Sequence, residues 1–161
     1  MKNGALALLG ALTVGCGASA LGAQADLVAI AGAAAADADA ALVAARAREL
    51  DAIVDEARTE CGAAGCSEAR AEEVRTRFAA AETRWAPALA CRAPVVEALR
   101  AWAAGLETAS AAGTPELGVA LLLRLGARFV AEFRALERCV ETAAPDVDLP
   151  GLPPGFLEGS P

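Results

Sequence analysis

Apolar residues recur along this chain at alternating steps of three and four, in three long stretches separated by glycine and proline. In the first stretch the seam is Ala29, Ala33, Ala36, Ala40, Val43, Ala47, Leu50, Val54, Ala57 and Cys61. This is the heptad spacing of a helix packed along its length. Asp26 supplies an N-cap and Gly62 with Gly65 a stop, so the pattern predicts a helix over 26–60. Ser67 caps the second stretch, whose seam is Ala71, Val74, Phe78, Ala81, Trp85, Ala88, Arg92, Val95, Leu99, Trp102, Leu106 and Ala109. Pro87 and Pro94 fall inside it, and each costs about 3 kcal/mol in a helix interior. The seam nevertheless keeps its phase across both prolines, and Ala86 and Ala93 are poor caps. One kinked helix over 67–111 is therefore expected, with a break at 87–94 as the alternative. Gly113 is the next stop, and Thr114-Pro115-Glu116 opens the third stretch with a cap and a proline at the first position. Its apolar face is Leu122, Leu125, Phe129, Phe133, Leu136 and Val140, and Ala144-Pro145 ends it. Residues 145–161 carry four more Pro and several Gly and are expected to be extended or disordered.

The pattern implies an all-α protein: an antiparallel three-helix bundle over 26–144 with a long proline-kinked middle helix, a four-helix bundle being the alternative. Composition agrees. The 161 residues are 56% hydrophobic but only 4% aromatic, without Tyr, a balance that favours helix over strand. Length suits one domain.

Residues 1–15 read differently. One cation, Lys2, precedes about ten apolar residues and then small ones, the order of a secretory signal. Val14-Gly15-Cys16 resembles a bacterial lipobox, in which the cysteine thiol takes a diacylglycerol and becomes the new N-terminus. Thr13 stands where that motif most often has Leu. The resemblance implies lipidation of Cys16, a short linker over 16–25 and a membrane-anchored lipoprotein facing the periplasm. Gly17 rather than Asp follows Cys16, which by the same resemblance implies the outer membrane. Two alternatives stay open: cleavage after Ala23-Gln24-Ala25, giving a soluble periplasmic or secreted protein, and an uncleaved anchor over 4–21.

Export changes how the cysteines are read. Beyond Cys16 there are Cys61, Cys66, Cys91 and Cys139, an even set that suggests two disulfides. Cys61 and Cys66 flank the first turn. Cys91 and Cys139 lie at similar distances on either side of Gly113, so a hairpin brings them level. The expected pairing is Cys61–Cys66 and Cys91–Cys139. Zinc is the rival use of four thiols, but the spacing holds no C-x-x-C knuckle.

Charge and chemistry narrow the function classes. There are 14 Lys and Arg against 21 Asp and Glu, a formal charge of −7, with no basic stripe for nucleic acid. No His is present, which removes the commonest general base and metal ligand. No catalytic residue, metal or cofactor is expected, and the chain is read as non-enzymatic. Asp51, Asp55 and Glu56, and Glu68, Glu72 and Glu73, read as solvated faces, because a Ca²⁺ or Mg²⁺ site needs oxygens from several directions. Glu72–Arg75 and Glu73–Arg77 are helix-spaced ion pairs. Asp146-Val147-Asp148 lacks the rest of a Ca²⁺ loop. Trp85 and Trp102 read as core, with a ligand pocket beside them as the sharper alternative. Arg92, the one charged seam position, either pairs with a carboxylate or lies at the open side of the kink, with a ligand-anion role as the sharper alternative. The leading expectation is an envelope lipoprotein acting as a structural or protein-interaction module, a class that includes phage- or prophage-derived factors. The other is a periplasmic helical module holding a small apolar ligand near Trp85 and Trp102.

Overall fold

The computed structural model describes residues 17–62, 65–112, 115–145 and 147–156. Among them the chain is all-helical, without strands. The helices are α1 (Gly17–Cys61), α2 (Glu68–Ala90), α3 (Arg92–Ala112) and α4 (Pro115–Ala143). Only Cys91 separates α2 from α3, so the four segments make three helical stretches. Cys16, Gly113, Thr114 and Asp146 lie outside the described residues.

α1 is already helical at Gly17, nine residues before the expected cap at Asp26. A cap residue starts a helix only where the residues before it resist helix, and Ala23-Gln24-Ala25 do not. Gly22 weakens the helix without stopping it. The C-terminal stop is as the glycines imply: Gly62 and Gly65 have φ of 58° and 80°, the left-handed conformation that lets the chain leave a helix. The side chain of Ser67 accepts the amide of Arg70 at 3.3 Å and caps α2.

The interruption at Cys91 follows from the prolines. Cys91 stays in the right-handed helical region (φ −67°, ψ −9°) and its amide still reaches the Pro87 carbonyl. Pro94 lies in the first turn of α3, where a missing amide hydrogen costs nothing. The helix therefore restarts after one residue. Every position of the expected seam from Ala71 to Ala109 is buried or half-buried, so the phase runs on across the interruption.

α1 has the opposite outcome. Its buried positions are Gln24, Ala31, Ala38, Leu42, Ala45, Leu50, Ile53 and Ala57. The expected positions Ala29, Ala33, Ala36, Ala40, Val43, Ala47 and Val54 are exposed. The two sets share Leu50 and Ala57, but over residues 29–47 they differ mainly by two positions, about 200° around a helix, so there the buried face lies opposite the expected one. Alanine fills both faces and carries no phase; Val43 and Val54, 43% and 39% exposed, stand one position after the buried Leu42 and Ile53. Leu42→Ala is expected to cost about 2–5 kcal/mol, as deletion of a fully buried side chain does. Val43→Ala should stay within about 0.5 kcal/mol. Denaturant unfolding of the two variants with disulfides intact checks this, and equal costs would contradict the assignment.

The chain divides into two compact units. The first contains α1 as far as Ala35, Pro94–Arg134 and the tail from Gly151. Its core is built round Trp102, which is wholly buried. The ring centroids of Phe129 and Phe156 lie 6.0 Å and 6.3 Å from it, the latter edge-on. α3 and α4 approach closely at Gly118, where an added Cβ would stand 2.7 Å from the Ala109 Cβ. Phe156 anchors the tail, which is expected to be extended or disordered. It is buried, and a turn with Phe156 N–H on the Pro153 carbonyl at 3.0 Å presents it. Pro154 followed by Gly155 at φ 79° fits a type II turn.

The second unit contains Ala36–Ala93 and Ala135–Pro150. Leu50, Ile53 and Ala81 form one core cluster, with Val74 and Phe78 packed on it. Leu42, Trp85, Leu136 and Val140 are also buried in this unit.

Candidate functional site

The polar chemistry of the second unit is concentrated where α1 faces α2. Arg77 makes a two-pronged contact with Glu56, at 2.9 Å and 2.6 Å. Arg70 holds Glu60 and, at 2.6 Å, Glu73. Arg84 pairs with Glu49, and Arg46 with Glu82. Arg92 pairs with Asp39. Apart from the adjacent pairs Glu49–Arg84 and Arg46–Glu82, which cross, positions fall along α1 as their partners rise from α2 into Arg92, so these segments run antiparallel. The expected Glu73–Arg77 pair does not form: Glu73 goes to Arg70 and Arg77 crosses to α1. Glu72–Arg75 does form, at 2.6 Å. The hydrogen bond from Arg77 holds the Glu56 carboxyl below the usual carboxylate range. Exposed pairs of this kind contribute little to stability because solvent screens them. Their main effect is to fix which residues stand opposite one another.

The carboxylates read as solvated faces are thus partly engaged by arginine. Among the described residues no three metal-ligating side chains converge.

Both expected cysteine pairs are at bonding distance. Cys61 and Cys66 have Cα atoms 4.5 Å apart across the first turn, and Cys91 and Cys139 have theirs 6.6 Å apart. Both fall within the span a disulfide bridges. Cys91 stands where α2 gives way to α3, so the second bridge ties that interruption to α4.

Trp85 belongs to the second unit and Trp102 to the first, each buried in its own core. The Trp85 indole donates to Glu49 Oε2 at 2.8 Å, whereas the buried Trp102 Nε1 has no partner among the described residues. A cavity of about 280 Å³ lies beside Trp85, with Glu49, Arg48 and Arg84 as its charged walls. Sequence reasoning missed Glu49, which serves both Arg84 and Trp85; its position four residues before Ile53 places it near the packed face, but only the observed helix phase reveals that. Two neighbouring hollows are formed by α4: one walled by Glu137 and Glu141, the other between α2 and α4.

α1 is apolar enough over part of its length to cross a membrane by composition alone, with an 18-residue window of mean hydropathy 1.7 of which 17% is buried. Such a helix fits a signal or membrane segment, and the paired cysteines are compatible with export. No known protein family, curated protein or solved structure matches the chain.

Proposed function

We propose that the chain is an exported lipoprotein of the bacterial envelope, anchored through Cys16, whose antiparallel, disulfide-stapled helical bundle serves as a protein-interaction module without enzymatic activity. The observation that carries the reading is that α1 already runs through the rival cleavage site at Ala23-Gln24-Ala25. Gln24 is buried in the fold, and it sits inside the rival cleavage site Ala23-Gln24-Ala25. Cleavage there would remove residues that belong to the first unit, whereas cleavage before Cys16 keeps them. A surface open to a partner is the face of α1 in the second unit that carries Val43 and Val54, each about two-fifths exposed. The membrane is the second partner, reached through the lipid.

Lipidation is directly testable. Intact-mass analysis of the membrane fraction should show a chain beginning at Cys16 and carrying acyl mass. Two or more acyl chains hold a protein stably on a bilayer, whereas one does so only marginally. Cys16→Ser is expected to abolish the added mass and either release the protein or leave the precursor unprocessed. A wild-type N-terminus at Asp26 with no lipid on any peptide would overturn the reading.

A further inference from the structure

We propose that the hollow between α2 and α4 in the second unit binds a single-tailed anionic amphiphile, a fatty-acid carboxylate, with its headgroup on Arg138 and Arg84. The hollow measures about 580 Å³, within the range of small-molecule sites. Its floor is apolar, made by Pro87, Ala135, Cys139 and Ala143. These side chains are small or flat, which leaves the space open. Among the described residues its charged lining is of one sign: Arg84 and Arg138 line it and no carboxylate does, on a chain whose formal charge is −7.

The two arginines are not equivalent. Arg84 gives a hydrogen bond to Glu49, which lines the neighbouring cavity beside Trp85 rather than this hollow; the rest of its five N–H donors stay available. Arg138 makes no ion pair among the described residues. A guanidinium without a counter-charge, above an apolar floor, selects for a ligand that has both parts. A small polar anion would leave the floor wet, and a neutral hydrocarbon would leave the arginine unneutralised. A cationic amphiphile would be repelled. A carboxylate head offers the planar two-oxygen geometry that guanidinium binds best, and an alkyl tail covers Pro87, Ala135 and Ala143. This binding capacity is independent of the anchor and of any protein partner.

The test uses the full chain in lipid nanodiscs and a dodecanoate probe carrying a diazirine at its terminal carbon, with peptide mapping after photolysis. Labels are expected on the segments around Pro87 and residues 135–143, and unlabelled dodecanoate should compete them away. The methyl ester of the probe should label these segments about tenfold less, the loss expected for one charge-assisted contact. Arg138→Gln should produce a similar loss. Ala135→Phe, which fills the floor while leaving both arginines, should block labelling as well; circular dichroism checks that each variant is folded. Equal labelling by acid and ester overturns the proposal. So does labelling that survives both substitutions, or labelling confined to the N-terminal peptide that faces the bilayer.

Discussion

Replacing Cys91 and Cys139 together with alanine is expected to lower the unfolding free energy by about 4 kcal/mol, and replacing Cys61 and Cys66 by about 2 kcal/mol. The difference comes from the chain each bridge encloses. The partners are 48 positions apart in one pair and 5 in the other, and the entropy withheld from the unfolded chain grows with the logarithm of the loop. The longer bridge has a local consequence too. Cys91 is the single non-helical residue between α2 and α3, where Pro94 cannot supply an amide to the carbonyl of Ala90. Without the tie to α4, amides in the last turn of α2 should exchange with solvent markedly faster. Urea unfolding of the two double variants, paired with hydrogen exchange, checks both statements. A Cys61/Cys66 variant that loses more stability than the Cys91/Cys139 variant would contradict this account.

Trp102→Ala should cost about 3–5 kcal/mol, the range for emptying a buried aromatic site. The ring is wholly buried and stands between Phe129 and Phe156, so its loss leaves two aromatic neighbours facing a void. The same substitution should free the tail, because the edge-on contact holding Phe156 disappears; faster proteolysis after residue 150 would report this. A gentler comparison separates packing from hydrogen bonding. Trp102→Phe removes an indole N–H that has no partner among the described residues, whereas Trp85→Phe removes one that donates to Glu49. The second should therefore cost more than the first, by the roughly 1.5–3 kcal/mol that a hydrogen bond to a charged group contributes. Thermal unfolding of the pair decides it, and the reverse order would refute the assignment.

The two long helical stretches that contain α2, α3 and α4 were legible in the sequence because their seams hold Phe78, Trp85, Val95, Trp102, Phe129 and Phe133. Large side chains at regular spacing declare a face. α1 was legible as a helix but not in its phase, since alanine is accepted on either side and only Leu42 and Ile53 mark the inner one. The burial of Phe156 has no periodicity to announce it; the Pro154-Gly155 turn that positions it was written in the sequence, but not its docking on Trp102. The partner of Arg92 could be named as a carboxylate but not as Asp39, because that choice rests on the register between α1 and the stretch facing it. The hollow with Arg84 and Arg138 was invisible for the same reason: its two cations lie 54 positions apart and meet only when α2 and α4 are side by side.

The rungs between α1 and α2 also imply an order of assembly. Their partners are 21 positions apart at Glu56–Arg77 and 35 at Glu49–Arg84, and the Cys61–Cys66 turn, 5 positions across, closes the near end. Each rung formed shortens the free chain that the next must close, so the entropy of closure is met in small instalments. The segment from Glu49 to Arg84 can thus zip from its turn outward, with contacts that stay local in sequence, which is the arrangement associated with fast folding.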